Sequence, residues 1–360
     1  MTIVIPGLQA LIASQCLLFA VYLVAGRKLG RLANRINLAL LLVLAVHMVF
    51  NLFNQHLFVD ALPPFAFGLG LMYGPLILLY IRSLIYRDFA WQPRLFVHFV
   101  PGVLLALAAS RVSPLWVAAA TFLSMGSYLY LSYRALAKFR QVLRQTQSAQ
   151  DLIAMNWVRN ILLLNAAGLL LNIVSVLMSA ARISDSLAAV AEISLFLVLL
   201  VMVNAFVFKG LLQPELFGGI TAEDEAIAQQ GTSDGATAEL SVERQNQIKQ
   251  ALLAHMTRQR PYLDPLFSLS ALSRQLGETP RYVSQVINTQ LAMSFSDFVN
   301  GYRIDEAKRR LTDTAAPRTV LDILLACGFS TKSNFNRAFK QQVGMTPSEY
   351  RKAHADSLGG

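Results

Sequence analysis

Seven mainly apolar stretches lie between positions 5 and 208, and none follows position 212. A helix that crosses a bilayer needs about 20 such residues. The stretches cover roughly 5–25, 36–58, 65–85, 95–109, 115–133, 158–180 and 187–208; the fourth is the shortest and contains Pro101-Gly102. Residues 1–212 carry only five acids, Asp60, Asp88, Asp151, Asp185 and Glu192. The whole chain is 55% hydrophobic and 14% charged, where soluble domains average about 45–50% and about 25%. That excess belongs to the first 212 residues. Residues 241–360 alternate polar and apolar positions as a water-soluble domain does. One part of the chain suits lipid and the other suits water.

The basic residues set an expected direction. Residues 1–7 hold no base, and the first cluster (Arg27, Lys28, Arg31 and Arg35) follows the first apolar run. A cleaved signal peptide has the reverse order, so the first stretch reads as a retained span. Arg87 and Arg94 follow the third stretch, with Arg82 near its end, and Arg134, Lys138, Arg140 and Arg144 follow the fifth. The intervening connections hold no base at 59–64, then only Arg111, then only Arg182. Positively charged loops stay in the cytoplasm. Seven spans therefore put the N-terminus outside and the C-terminal part inside, at the cell inner membrane. Residues 213–240, rich in small and polar residues and including Glu223-Asp224-Glu225, read as a flexible acidic linker.

The C-terminal part reads as two helix-turn-helix units, at about 269–288 and 320–343. Leu269, Leu272 and Leu276 recur at helical spacing, and Gly277 marks the helix end. Thr279 and Pro280 open a second helix that turns Val283, Val286 and Ile287 inward. The pattern returns with Val320, Ile323, Leu324 and Ala326, then Gly328 and Phe329. Ser330 or Thr331 caps a helix that buries Phe335 and Phe339 and ends at Gly344. Between the units, an amphipathic stretch from 294 to 311 predicts a helix about 27 Å long. Successive major-groove faces on one side of a duplex are about 34 Å apart. A rod of that length suits two recognition helices in neighbouring grooves. Residues 241–360 carry 16 Lys/Arg against 10 Asp/Glu, which fits a nucleic-acid partner and equally a solvated basic face.

The run Pro261-Tyr262-Leu263-Asp264 through Asn300-Gly301-Tyr302-Arg303 resembles the AraC/XylS family of transcription regulators. So, more specifically, do Gly328-Phe329-Ser330, Phe335-Asn336-Arg337-Ala338-Phe339-Lys340 and Gly344-Met345-Thr346-Pro347-Ser348-Glu349-Tyr350-Arg351. The resemblance covers about 100 residues. Gly74-Pro75-Leu76, Tyr80-Ile81-Arg82-Ser83-Leu84 and His98-Phe99-Val100-Pro101 resemble the multi-helix sensor region of membrane-anchored members. Ser273 and Leu324 depart from an alanine usual in the family, and Glu278 stands where an apolar residue is common.

Positions early in each recognition helix are expected to be exposed and to face base edges. These are Arg281, Ser284 and Gln285 in the first unit, and Lys332, Ser333, Asn336 and Arg337 in the second. The resemblance points to the same positions. Arg and Lys pair with guanine, and Asn or Gln with adenine. Thr279, Ser330, Thr331 and Lys340 suit phosphate contacts. Arg303, Lys308, Arg309 and Arg310 suit either phosphate or pairing with Asp305, Glu306 or Asp313.

In the apolar part, His47, Asn51 and Asn54 share one face of the second span, and Asn165 and Asn172 one face of the sixth. Glu192 lies within the seventh, where an acid is costly enough to face the interior. A sensor pocket built on His47, Asn51, Asn54 and Glu192 is one reading; hydrogen bonding that only holds the helices together is the other. No nucleophile–base set, glycine-rich phosphate loop, kinase motif or metal-ligand spacing stands out, so neither an enzyme nor a cofactor is expected.

The expected fold is all-α: a seven-helix transmembrane bundle followed by a soluble double helix-turn-helix DNA-binding domain. The expected role is a membrane-tethered transcription regulator that couples a membrane or external signal to promoter binding. Its expected partners are double-stranded DNA and the lipid bilayer, with RNA polymerase, a second copy and a signal ligand as further candidates. The alternative is a receptor or transporter with a C-terminal protein-interaction module.

Overall fold

The computed structural model describes residues 3–26, 28–54, 66–86, 88–108, 111–147, 156–181, 183, 185–212, 220, 224–226, 240–313 and 319–356. Among these residues the fold is all-helical, with fifteen α-helices and no extended strand. Contacts divide the chain into two units, Met1–Ala137 with Met155–Gly219, and Lys138–Ala154 with Ile220–Gly360. Most of the segment read as a linker, 213–240, lies outside the described residues. Within it Ile220 is buried and Glu225 pairs with Lys138.

The first unit holds α1 (Val4–Ala25), α2 (Leu32–Leu52), α3 (Ala66–Gly70), α4 (Tyr73–Ile85), α5 (Val100–Ala108), most of α6 (Pro114–Thr146), α7 (Asn156–Ala180) and α8 (Asp185–Leu212). Among the described residues, six helices are long and apolar enough to cross a membrane, not seven. The expected fourth span is a 3₁₀ turn at Pro93–Phe99 running into the nine-residue α5. Pro101 lies in the first turn of α5, where its missing N–H costs little.

Packing in this unit leaves large apolar side chains on the outside as well as in the interior. Ile12, Cys16, Leu44, Met48 and Phe196 join α1, α2 and α8. Leu18, Val21, Leu107, Leu123 and Leu170 are exposed, while Gln9, Asn37 and Asn165 are buried. Polar pairs bridge helices: Asn204 donates to Gln15 at 3.0 Å, His47 bonds Tyr73 at 2.7 Å, and His98 bonds Tyr128 at 2.8 Å. Gly68 lets α3 meet α5, since a Cβ there would lie 2.3 Å from the Gly102 carbonyl oxygen.

The second unit contains α9 (Val242–Gln259), α10 (Leu269–Leu276), α11 (Pro280–Gln290), α12 (Phe295–Leu311), α13 (Val320–Ala326), α14 (Lys332–Val343) and α15 (Pro347–Asp356). It has two cores that share α12. Phe295, Phe298 and Val299 pack with Leu252, Leu272, Val283 and Ile287. Ile304, Ala307 and Leu311 pack with Ile323, Leu324, Phe329, Phe335 and Phe339. α12 has 17 residues, a rod about 26 Å long.

Candidate functional site

Both helix-turn-helix units are fixed by local signals. α10 ends at Gly277, in the left-handed conformation at φ 68°. The Thr279 side chain then accepts a hydrogen bond from the Tyr282 N–H, and Pro280 begins α11. In the second unit a reciprocal cap between Thr319 and Asp322 starts α13. Gly328 turns the chain at φ 82°, and Thr331 accepts from the Asn334 N–H to start α14. Gly344, at φ 85°, ends α14. Of the two candidate caps for α14, Thr331 is the one that acts.

α12 holds the units in register through a buried cation. Arg303 is 1% exposed. Its Nε donates to the Tyr262 carbonyl at 2.7 Å and a terminal nitrogen donates to the Asp264 carbonyl at 2.8 Å. Its guanidinium lies over the Phe329 ring, 5.6 Å from the centroid. Burial pushes its pKa down to about 10, opposed by the Asp264 charge, so it stays charged at neutral pH. Glu306, also buried, receives Arg260, Arg309 and Arg310. Lys308 pairs with Asp305 at 3.1 Å. The basic run on α12 is therefore internally paired, and Arg303 ties backbone rather than meeting phosphate.

On α14, Lys332, Ser333, Arg337 and Lys340 are exposed and Asn336 is partly so. Arg337 approaches the Asn334 side-chain oxygen at 3.4 Å. Partial desolvation, reinforced by the nearby Arg144 charge, lowers its pKa. On α11, Arg281 and Gln285 are half-buried. Ser284 is a correction: it was expected to be exposed and is 3% exposed, with Asn288 donating to its hydroxyl at 3.4 Å. α11 packs against α9, α10 and α12, so its buried face is wider than the Val283, Val286 and Ile287 stripe implies.

Residues 272–353 match a helix-turn-helix domain family. An uncharacterized HTH-type transcriptional regulator of Staphylococcus aureus (strain MSSA476) is 39% identical over 84 residues, 23% of this chain and 11% of that protein. The uncharacterized HTH-type transcriptional regulator YtdP of Bacillus subtilis is 34% identical over 85 residues, 24% of this chain and 11% of that protein. HTH-type transcriptional regulator Rv1931c of Mycobacterium tuberculosis is 31% identical over 87 residues, 24% of this chain and 33% of that protein. The C-terminal region is a helix-turn-helix domain of the AraC type. The chain spans about a tenth of the length of the first of these relatives. No solved structure matches the chain. A helix-turn-helix domain implies DNA as partner.

The first unit holds a cavity of about 530 Å³ among α2, α3, α4, α6, α7 and α8. His47, Asn51, Asn165, Asn172 and Glu192 line it. Asn54 does not: it sits in the π-helical residues that continue α2 and is absent from the lining. Asn37, which no periodic pattern singles out, does line it and is 1% exposed.

Proposed function

We propose that the protein is a membrane-tethered, sequence-specific DNA-binding regulator of transcription that couples a membrane or external signal to promoter binding. The observation that carries this reading is the pair of capped helix-turn-helix units locked to one rigid α12 by Arg303, in a chain that also holds, among the described residues, six helices of spanning length. Arg281, Gln285, Lys332, Ser333, Asn336 and Arg337 read base edges. Thr279, Thr331 and Lys340 hold phosphates, the threonine hydroxyls still having a proton to donate after capping.

A seventh crossing at 93–108 keeps every basic loop on one side and the DNA-binding domain in the cytoplasm. Six crossings would put Arg27, Lys28, Arg31 and Arg35 opposite Arg134, Lys138, Arg140 and Arg144. A 3₁₀ helix rises about 2.0 Å per residue and an α-helix about 1.5 Å, so these 16 residues reach roughly 28 Å. That nearly matches a hydrocarbon core of about 30 Å.

The test is selection of binding sites from a random duplex library by the full chain held in lipid nanodiscs. The expected result is an enriched motif with two blocks about one helical turn apart, bound less tightly as salt rises. Recovery of no motif, or equal affinity for every duplex, overturns the reading.

A further inference from the structure

We infer that the pocket between the end of α4 and the 3₁₀ turn at Pro93–Phe99 is a binding site for the phosphodiester head group of an anionic phospholipid. This deepens the membrane reading above and rests on it. The two stretches that resemble the sensor region of membrane-anchored regulators meet here. Arg82 lines the pocket from the last turn of α4, and His98 lines it from the 3₁₀ turn. Sixteen residues separate them in the chain. Tyr86 ends α4 in an extended conformation, and the Phe89 N–H donates back to the Tyr86 carbonyl at 3.3 Å. Arg94 follows at the start of the 3₁₀ turn and lines the same pocket. The volume is about 380 Å³, within the usual range for small-molecule sites. One phosphate at its centre is within reach of both long arginine side chains.

The lining sets the charge of the occupant. Arg82 and Arg94 bring two guanidinium groups, and neither has a salt-bridge partner among the described residues. Asp88 is the one acid among the described lining residues. Two positive charges against one negative leave a single positive charge, which a phosphodiester neutralises. A guanidinium fork donates to two phosphate oxygens at once. The His98 Nδ1 is hydrogen-bonded to the Tyr128 hydroxyl at 2.8 Å. With Tyr128 donating, the ring proton sits on Nε2 and can be given to the same anion. What adjoins the pocket favours a lipid over a free phosphate. Trp91 and Phe96, beside lining residues in the chain, are both exposed and meet edge to face at 5.3 Å. Aromatic side chains collect at head-group level in membrane proteins. Just beyond His98, Val100, Val103, Leu104 and Leu107 are all exposed along one face of α5. An acyl chain laid on that face begins where its head group is held. Basic pockets at the cytoplasmic ends of spanning helices suit anionic head groups, and Arg82 and Arg94 belong to a loop expected on that side.

The test uses the full chain in nanodiscs of equal parts phosphatidylglycerol and phosphatidylcholine with matched acyl chains. Native mass spectrometry of the released protein counts the lipids that it keeps. The unaltered protein should keep phosphatidylglycerol over phosphatidylcholine by about tenfold. Arg94→Gln should remove most of that preference. Arg94→Lys should weaken it too, because lysine keeps the charge and loses the fork. Arg111→Gln alters an exposed arginine outside the pocket and should leave the preference unchanged. Equal retention of the two lipids by the unaltered protein overturns the inference without recourse to any variant. So does an Arg94→Gln protein that keeps the preference. Full preference in Arg94→Lys would mean diffuse surface charge in place of a built site, and overturns it as well. Displacement of phosphatidylglycerol by excess inorganic phosphate would make the occupant a soluble anion and overturn the lipid assignment. Entry of the chain into the nanodiscs is scored separately, so failure of the membrane reading itself is told apart from failure of this site.

Discussion

The two recognition helices begin alike and end up differently exposed. Each follows a glycine in the left-handed conformation, and each is capped by a threonine hydroxyl. α11 is then enclosed by α9, α10 and α12, which buries Ser284 and half-buries Arg281 and Gln285. α14 keeps Lys332, Arg337 and Lys340 exposed. The same local motif therefore offers a dense cationic face in the second unit and a single half-covered cation in the first. Helix caps set where a recognition helix starts; tertiary neighbours set how much of it DNA can reach.

Removing the core of one unit should separate the two most strongly. Phe335 is fully buried between Phe329 and Phe339, with ring centroids at 5.1 and 5.6 Å. Phe335→Ala should destabilise α13–α15 by about 3–5 kcal/mol. Hydrogen exchange on the full chain should show lost protection there, with α10 and α11 changed far less. Equal loss in both units would mean that they fold as one block.

The two turn glycines form a matched pair. A Cβ on Gly277 would meet nothing within 4 Å, while one on Gly328 would lie 2.6 Å from the Tyr262 carbonyl oxygen and 2.8 Å from that of Leu263. Gly277→Ala should therefore cost only the left-handed backbone strain, about 1 kcal/mol. Gly328→Ala should cost about 3 kcal/mol, because the overlap adds to that strain. Thermal unfolding of the two variants measures the gap, and equal costs would show that the 262–264 turn yields.

Exposure makes a third contrast. Arg337→Ala should weaken binding to the selected site by about 1–3 kcal/mol and relax preference at one base pair. Arg281→Ala should lie at the low end of that range or below it. The check is titration of each variant against the selected duplex and a scrambled one. Equal loss on both duplexes would make Arg337 a phosphate contact.

What the sequence reveals here divides along physical lines. Gly277, Gly328, Gly344, Thr279 and Thr331 act on their own turns, so both helix-turn-helix units are legible within a few residues. The 3₁₀ winding of Pro93–Phe99 ahead of α5 is not legible, because hydropathy counts apolar residues and registers no backbone geometry. Ser284 is misjudged because its cover comes from three helices, one of them α9, some thirty residues away in the chain. Arg303 and Asn37 carry no sequence signal of their special positions. One depends on backbone carbonyls brought close by folding, and the other on a cavity formed by six helices.

One pair of equivalent positions is expected to respond to truncation with opposite signs. Ser273 precedes Gly277 by four residues, and Leu324 precedes Gly328 by four. Both are 1% exposed. Leu324 packs into the second core, but the Ser273 hydroxyl is buried with no hydrogen-bond partner. An unsatisfied buried hydroxyl costs stability, and removing it leaves a void of only one atom. Ser273→Ala should therefore stabilise the first unit by about 1 kcal/mol, a rare gain from a truncation. Leu324→Ala at the matching position should instead lose about 2–4 kcal/mol. Hydrogen exchange of α10 and α13 in the full chain tests the opposite signs. A loss at Ser273→Ala would mean that the hydroxyl has found a bridging water, and that the first unit is as fully satisfied as the second.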